Sequence, residues 1–206
     1  MGNGTNSNRS INIVAGPNGS GKTTFAKSFL TRDKAIPVFL NPDLIAAGIS
    51  PINDEQASFQ AGRVLLADIK NRLASGESFG FESTLSGKTY LTILKEARNH
   101  GYSITIYFLF VNSVDLSLKR IKKRVSEGGH NIPKSSVLRR QSRCFENFWN
   151  LYRPLTDDWY LFNNSGKSPK LILSKGGFVE QDTVSQTQFA AAFLKGKVYD
   201  KKRKTK

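Results

Sequence analysis

The chain has 206 residues, a formal net charge of +15 and a single cysteine, Cys144. This length fits one domain with a sizeable core. A single cysteine excludes a disulfide framework and a cysteine-based metal site, and it fits a reducing, cytoplasmic location. No apolar run approaches the 18 residues of a membrane-spanning helix, and the charge indicates an anionic partner such as a nucleotide, a nucleotide sugar, a nucleic acid or an acidic protein.

The first predicted strand, residues 12–15, leads into a glycine-rich turn. Residues 16–23 read GPNGSGKT, the G-x-x-x-x-G-K-[ST] pattern, and a helical segment follows over 22–30. In this context backbone N–H groups and the helix N-terminus surround phosphates. We therefore predict binding of ATP and Mg²⁺, with Lys22 at the β- and γ-phosphates and the Thr23 hydroxyl on the metal. The predicted ATP-binding residues are Gly16, Pro17, Asn18, Gly19, Ser20, Gly21, Lys22, Thr23 and Thr24.

Two acidic residues follow the next predicted strands. Asp43 comes just after the strand 37–40, and it either accepts the proton of an attacking hydroxyl or, with Asn41, caps the segment that follows. A helix is predicted from Asn53, as its N-cap, to Gly76. Glu82 ends the strand 79–84, where it orients a substrate hydroxyl, holds a water on Mg²⁺, or forms a salt bridge with an arginine.

A basic region follows a helix over 88–99 and an apolar, central strand over 103–111. Nine basic residues and one acid, Glu127, lie between Lys119 and Arg143. Helices over 116–126 and 135–151, joined by a glycine-rich loop, predict a lid over the triphosphate, with Arg124 and Arg140 stabilising the charge of the transferred phosphoryl group. The alternatives are a solvated basic face and a nucleic-acid groove.

The last predicted elements are strands over 159–162 and 171–174 and a helix over 186–194. Asn164 follows the first of these strands, where it lines the adenine pocket or belongs to a turn. The alternation of strands and helices predicts an α/β P-loop NTPase fold, with a doubly wound, mostly parallel five-stranded sheet and ligands at the strands' C-terminal ends. The domain is predicted over 11–195, with its lid at 119–143, a disordered segment at 1–10 and a basic tail at 196–206.

The ordered set of motifs resembles the zeta toxin family of P-loop kinases, in particular its short members. The matching segments are GPNGSGKTT at 16–24, NPDLIAAGISP at 41–51, FESTLSGKT at 81–89, RVSEGGHNIP with VLRRQSR across 124–143, and NNSG at 163–166. The resemblance implies an ATP-dependent kinase that phosphorylates the 3′-hydroxyl of the N-acetylglucosamine unit of UDP-N-acetylglucosamine, and an antitoxin as a candidate partner.

Residue roles also follow from this resemblance. It implies that Asp43 is the base, that Glu82 and Thr84 contact the sugar, and that Arg124 and either Arg139 or Arg140 contact the phosphates. The chain departs from the family at 82–86, where ESTLS replaces the usual EGTLR. We therefore predict a small-molecule kinase with a nucleotide-sugar acceptor; the alternative is a nucleic-acid-associated ATPase or polynucleotide kinase that uses the basic lid and tail.

Overall fold

The computed structural model describes residues 9–30, 36–50, 54–129 and 132–178. Several sequence predictions lie outside these residues: the N-terminal segment up to residue 8, the N-cap at Asn53, the helix at 186–194 and the basic tail. No helix in the described part of the chain has the length and apolar character needed to cross a bilayer.

A single sheet of seven strands organises the described residues, in the order β2-β3-β1-β4-β5-β6-β7. The first five strands in this order are parallel to their neighbours, whereas β6 and β7 are antiparallel. The strands are β1 (Ser10–Ala15), β2 (Phe39–Leu40), β3 (Phe79–Ser83), β4 (Ser103–Phe110), β5 (Asp158–Asn163), β6 (Lys170–Ser174) and β7 (Gly177–Phe178). The predicted mostly parallel α/β fold is confirmed, but the count of five strands was wrong because β6 and β7 return antiparallel to extend the parallel set.

The helices lie between these strands in the chain. They are α1 (Lys22–Phe29), α2 (Pro42–Ile49), α3 (Asp54–Ser75), α4 (Thr89–Asn99), α5 (Val114–Ser126) and α6 (Lys134–Asn147). A π-helical turn, Phe148–Tyr152, continues α6, so the helix predicted over 135–151 is found as an α-helix that changes to π-helical geometry after Asn147. Because β1, β2, β3 and β4 run parallel to one another, their C-terminal ends lie at the same edge of the sheet.

Alternate residues of the central strand β4 pack on opposite faces of the sheet. Ile104, Ile106 and Phe108 belong to the larger core cluster, in which the Phe108 ring stacks on Phe148 with centroids 4.4 Å apart. Leu109 belongs to the cluster around Phe25 of α1 on the other face. This period of two is the reason why a mostly apolar strand can support helices on both faces.

Helix α2 packs mainly against α3 and buries few of its own side chains. Ala46 is its only buried residue, and it packs in a small cluster with Ala57 and Ala61 of α3, while the partly buried Ile45 contacts both this cluster and the main core. Leu44 of α2 is 64% exposed. Besides this packing, polar contacts at the N-terminus of α2, which lie in the candidate site, hold the helix in place.

Candidate active site

The turn between β1 and α1 has a backbone that favours glycine at three positions. Gly16, Gly19 and Gly21 have φ values of 142°, 77° and 88°, a region that L side chains rarely enter. A Cβ atom at Gly19 would lie 2.5 Å from the Ser117 carbonyl oxygen, and one at Gly21 would overlap the Asn164 side chain. The glycines of the motif are thus required both by conformation and by close packing of the turn against α5 and the end of β5.

The interior of this turn holds polar groups that lack protein partners. The Lys22 side chain is buried, and its Nζ donates to the Pro17 carbonyl at 3.0 Å. Within the described residues, Ser20 Oγ and Asn18 Oδ1 are buried without a hydrogen-bond partner. Unsatisfied buried polar groups are costly unless a ligand or water pairs with them. This arrangement fits the phosphates of a nucleotide, as the sequence motif predicts.

Glu82, at the end of β3, lies at the centre of the polar contacts. It is 6% exposed, and its Oε2 accepts hydrogen bonds from Thr23 Oγ1 at 2.8 Å and Asn41 Nδ2 at 3.0 Å. Its Oε1 lies 3.8 Å from Lys22 Nζ. The expected salt bridge is therefore made to the lysine of the phosphate loop and not to an arginine.

The Thr23 hydroxyl and the Glu82 carboxylate are also suitable ligands for Mg²⁺. The described residues contain no cluster of three or more histidine, cysteine or acidic side chains that could hold a metal alone. Nucleotide-bound Mg²⁺ takes only one or two protein oxygens and completes its shell with phosphate oxygens and water. A sparse pair of hard oxygen donors beside the phosphate loop is what this mode of binding requires.

Asn41 and Asp43 have separate roles at the start of α2. Asn41 is the N-cap, since its side-chain oxygen accepts from the backbone N–H groups of Asp43 and Leu44 at 2.8 and 3.2 Å. The capping alternative thus holds for Asn41. The Asp43 carboxylate instead lies 3.1 Å from Arg124 Nη1 of α5, in an ion pair whose side chains are 40% and 36% exposed.

A cavity of about 400 Å³ opens above the phosphate loop, and we call it the nucleotide cavity. Asn164 lines it and braces the loop, because its Nδ2 donates to the Ser20 carbonyl at 2.8 Å. Arg120 in turn donates to the Asn164 carbonyl at 2.8 Å. The lining residues are Gly19, Gly21, Lys22, Thr23, Thr24, Glu82, Arg120, Ile121, Lys123, Arg124, Glu127, Asn164, Gly166 and Lys167.

A second cavity, of about 570 Å³, lies on the other side of Glu82, and we call it the acceptor cavity. Asp43, Thr84 and Arg140 line it, together with several hydroxyl side chains. The lining residues are Asn18, Pro42, Asp43, Ser58, Gly62, Glu82, Ser83, Thr84, Ser86, Gly87, Thr89, Tyr90, Ile132, Pro133, Ser136 and Arg140. Both volumes are in the range of small-molecule sites. The two cavities share Glu82, and the Asp43–Arg124 ion pair joins a residue of one to a residue of the other.

A sequence model of the AAA domain family AAA_33 matches residues 11–148, which include the phosphate loop, Asp43, Glu82 and the whole of the predicted lid. The chain belongs to this AAA domain family. An uncharacterized protein of Haemophilus influenzae is 35% identical over 125 residues, a match that covers 61% of this chain and 87% of that protein.

Solved structures similar to this AAA domain share its fold. A chain of the PezAT chromosomal toxin-antitoxin system of Streptococcus pneumoniae has a TM-score of 0.64 at 13% identity, and the match covers 90% of this chain and 79% of that chain. A chain of the AvrRxo1-ORF1:-ORF2 complex with ATP has a TM-score of 0.65 at 16% identity, and the match covers 87% of this chain and 63% of that chain. A proposed kinase of Chloroflexus aurantiacus has a TM-score of 0.53 at 19% identity, and the match covers 66% of this chain and 80% of that chain. The fold is therefore that of a P-loop kinase-like domain, which implies nucleotide binding.

Only three of the nine basic residues of the lid turn inward in this AAA domain. Arg120, Arg124 and Arg140 are half-buried, whereas the other six, among them Arg139, are exposed. Sequence reasoning missed Arg120, although its spacing of four residues from Arg124 places both on one helix face. It also assigned Arg124 and Arg140 to the same phosphates, but the structure puts them in different cavities.

The loop that follows Glu82 has a strained residue at its centre. Leu85 has a φ of 53°, its side chain is buried, and its N–H donates to Ser83 Oγ at 3.1 Å. Asn147 Nδ2 donates to the Leu85 carbonyl at 2.9 Å, and the Tyr152 hydroxyl donates to the Gly87 carbonyl at 2.7 Å. These contacts fix Thr84 and Ser86, whose hydroxyls lie 2.9 Å apart at the cavity wall. Burial raises the pKa of the neighbouring Tyr90 hydroxyl above its ordinary value of 10.0.

Proposed function

We propose that this AAA domain is an ATP-dependent kinase that transfers the γ-phosphoryl group to a hydroxyl of a small molecule in the acceptor cavity. The observation that carries this proposal is the meeting of the two cavities at Glu82, with the Asp43–Arg124 ion pair across them. A hydrolase needs only the nucleotide side. A second, concave site with a carboxylate at its boundary favours transfer to an acceptor other than water.

On the nucleotide side, the phosphate loop from Gly16 to Thr24 binds the triphosphate through its backbone N–H groups, Ser20 and Lys22. Lys22 exchanges the Pro17 carbonyl for phosphate oxygens. Thr23 and Glu82 would hold Mg²⁺, which would supply positive charge to neutralise the charge that develops on the transferred group. Asn164 keeps the loop in this conformation and lines the cavity on the side away from Glu82.

On the acceptor side, Asp43 takes the proton of the attacking hydroxyl as its oxygen bonds to phosphorus. The carboxylate is paired with Arg124 in the ligand-free protein. An exposed ion pair of this kind is worth only about 0–1 kcal/mol, so phosphate oxygens can draw Arg124 into the nucleotide cavity that it already lines. That movement stabilises charge at the γ-phosphate and at the same time frees the carboxylate as a base.

The acceptor class rests on the resemblance to zeta toxins, which makes a nucleotide sugar such as UDP-N-acetylglucosamine the first compound to test. Thr84 and Glu82 lie where a sugar hydroxyl would reach both. Arg139, exposed on α6, would contact substrate only at the cavity mouth. The same resemblance, together with the likeness to a chain of a toxin-antitoxin system, supports a cytoplasmic protein with an antitoxin partner.

The direct test is transfer of radiolabelled γ-phosphate from ATP to a panel of nucleotide sugars, sugars and nucleosides. Asp43→Asn should lower turnover by about 100-fold or more while sparing affinity for a non-hydrolysable ATP analogue. Asp158→Asn, an exposed aspartate on β5, is the matched control. An Asp43→Asn enzyme with normal turnover would remove Asp43 as the base, and a panel without any labelled product would contradict the proposed transfer.

The polynucleotide kinase alternative is supported by the six exposed basic residues of the lid. It predicts labelling of oligonucleotides that carry a free 5′-hydroxyl, and binding that weakens steeply with salt. The same panel should therefore include such oligonucleotides, assayed with the full chain and with a chain shortened after Tyr199. Labelled oligonucleotide without labelled sugar would favour this alternative over the small-molecule kinase.

A further inference from the structure

Two inward-facing arginines of the predicted lid line different cavities. Arg124, on α5, lines the nucleotide cavity. Arg140, on α6, lines the acceptor cavity together with Asp43, Thr84 and Ser136. An arginine in the acceptor cavity is badly placed to share the γ-phosphate with Arg124, but well placed to touch the molecule that receives the phosphoryl group.

Arg140 is also the cation of this cavity that no described acidic side chain neutralises. The Asp43 carboxylate is 3.1 Å from Arg124, and the Glu82 carboxylate is bonded to Thr23 and Asn41 and lies 3.8 Å from Lys22. Arg140 makes no hydrogen bond or ion pair with the residues that the structure describes. Because a half-buried guanidinium retains five donors that need acceptors, an anionic ligand group would meet an unsatisfied site.

The rest of the wall is rich in hydroxyl groups. Serine and threonine side chains line the cavity from α3, from the end of β3 and the loop after it, from the start of α4 and from α6: Ser58, Ser83, Thr84, Ser86, Thr89 and Ser136. Hydroxyls can both donate to and accept from the hydroxyls of a ligand. This lining favours a ligand with several hydroxyl groups over a flat apolar one.

We infer that Arg140 binds an anionic group of the acceptor, and that the acceptor is a polyhydroxylated compound with a single anionic group, such as a sugar monophosphate or a sugar acid. This inference rests on the proposed kinase function and narrows its substrate class. Arg140 and the hydroxyl-lined wall bind the two ends of the acceptor, so that one of its hydroxyls lies at Asp43. Arg140 then sets specificity, while Arg124 serves the transferred phosphoryl group.

The first test is independent of turnover and uses phenylglyoxal, which modifies accessible arginine, followed by peptide mass spectrometry. A non-hydrolysable ATP analogue with Mg²⁺ should protect Arg124 and leave the rate at Arg140 unchanged. Adding glucose 1-phosphate, glucuronate or inorganic phosphate to the nucleotide-loaded protein should slow modification of Arg140 by at least about fivefold, whereas glucose should not. Protection of Arg140 by the nucleotide alone, or by none of these probes, would overturn the inference.

The second test compares Arg140→Gln with Arg143→Gln, an exposed arginine one turn away on the same helix. For an anionic acceptor, Arg140→Gln should lower kcat/KM by about 10- to 100-fold, mainly through KM, with the KM for ATP unchanged. For a neutral sugar of the same size, Arg140→Gln and Arg143→Gln should have the same kcat/KM. With the anionic acceptor, Arg140→Lys should retain part of the kcat/KM that Arg140→Gln loses. An equal loss with neutral and anionic acceptors, or a raised KM for ATP, would assign Arg140 to the nucleotide instead.

The two tests separate this inference from the proposed function. Protection of Arg140 by probes with one anionic group, without any phosphoryl transfer, would support the binding site and contradict the kinase. Transfer to UDP-N-acetylglucosamine in preference to every compound with one anionic group would support the kinase and contradict the proposed acceptor class.

Discussion

Asn41 Nδ2 donates a hydrogen bond of 3.0 Å to Oε2 of Glu82, while the oxygen of the same amide caps the helix that carries Asp43. One buried side chain therefore connects the carboxylate beside the phosphate loop to the helix of the proposed base. Helix α2 packs against α3, but it buries only Ala46 and follows a strand of two residues, so the Asn41–Glu82 bond is the contact that ties its N-terminus to β3. We therefore expect the distance between the proposed base and the phosphate loop to depend on this amide.

The Asn41 connection can be removed without removing the cap. Serine is as good an N-cap as asparagine, but it is too short to reach Glu82. We expect Asn41→Ser to lower kcat by about 10-fold or more, because a shift of about 1 Å in a reacting group costs up to 100-fold. The affinity for a non-hydrolysable ATP analogue should stay within about twofold, since Lys22 and Thr23 are untouched. Asn150→Ser, an exposed asparagine, is the control for the chemical change.

Reversing the polarity of this bond gives a rescue experiment. Asn41→Asp keeps the cap but sets a second carboxylate against Glu82, and we expect a larger loss of kcat than in Asn41→Ser. Adding Glu82→Gln restores a donor and an acceptor at the two positions, although it also removes a charge from the Mg²⁺ site. The double variant should therefore exceed Asn41→Asp in kcat at saturating Mg²⁺. Additive losses in the double variant would contradict a direct role for the Asn41–Glu82 bond.

Much of the site could be predicted because its residues belong to contiguous motifs. The glycine pattern determines the phosphate loop, and strand ends place Asp43 and Glu82 at one edge of a parallel sheet. The partners of these residues could not be predicted, since they depend on side-chain direction across distant segments. Asn41 and Asp43 are neighbours in sequence, yet one contacts Glu82 and the other Arg124. Likewise, Arg124 and Arg140 are both basic lid residues, and only the packing of α5 and α6 assigns them to different cavities.

The close packing of Gly21 against Asn164 predicts a defect in nucleotide binding that exceeds simple backbone strain. Gly21→Ala introduces a left-handed alanine, which costs about 1–2 kcal/mol, and also a Cβ that overlaps the Asn164 side chain. Gly101→Ala, with a φ of 77° and open space around its Cβ, has the strain alone. Both variants should lower Tm, but only Gly21→Ala should weaken binding of an ATP analogue in calorimetry. Equal affinity in the two variants would mean that Asn164 does not brace the loop.

The left-handed backbone at Leu85 predicts that Asn147 controls acceptor binding. Asn147→Ala removes the donor to the Leu85 carbonyl, so the loop that carries Thr84 and Ser86 can relax from a conformation that costs about 1–2 kcal/mol. We expect the KM for the acceptor to rise about threefold to tenfold with the KM for ATP unchanged. Asn150→Ala, in the adjoining turn, serves as the control. A rise in the KM for ATP alone would place the effect at the phosphate loop.

The buried thiol of Cys144 predicts a loss of stability at high pH. Burial raises its pKa from the ordinary value of 9.0 to about 12, although the charges of Lys22 and Arg140 partly oppose this effect. In the unfolded chain the thiol ionises from about pH 9, whereas in the folded protein it stays protonated. The stabilisation present below pH 9 is therefore lost as pH rises toward 12, at up to about 1.4 kcal/mol per pH unit.

This loss can be measured by urea unfolding between pH 7 and pH 10.5. Tyr152, whose pKa burial also raises to about 12, adds to the fall in the free energy of unfolding only above about pH 10. Cys144→Ala should thus show a shallower decline between pH 9 and 10 than the unaltered protein, whatever its stability at pH 7. Native Cys144 should resist iodoacetamide at pH 8.5 and react once urea unfolds the chain. Rapid alkylation of the folded protein would mean that the thiol is open to solvent, contrary to its position against Phe145 and Phe148 in the core.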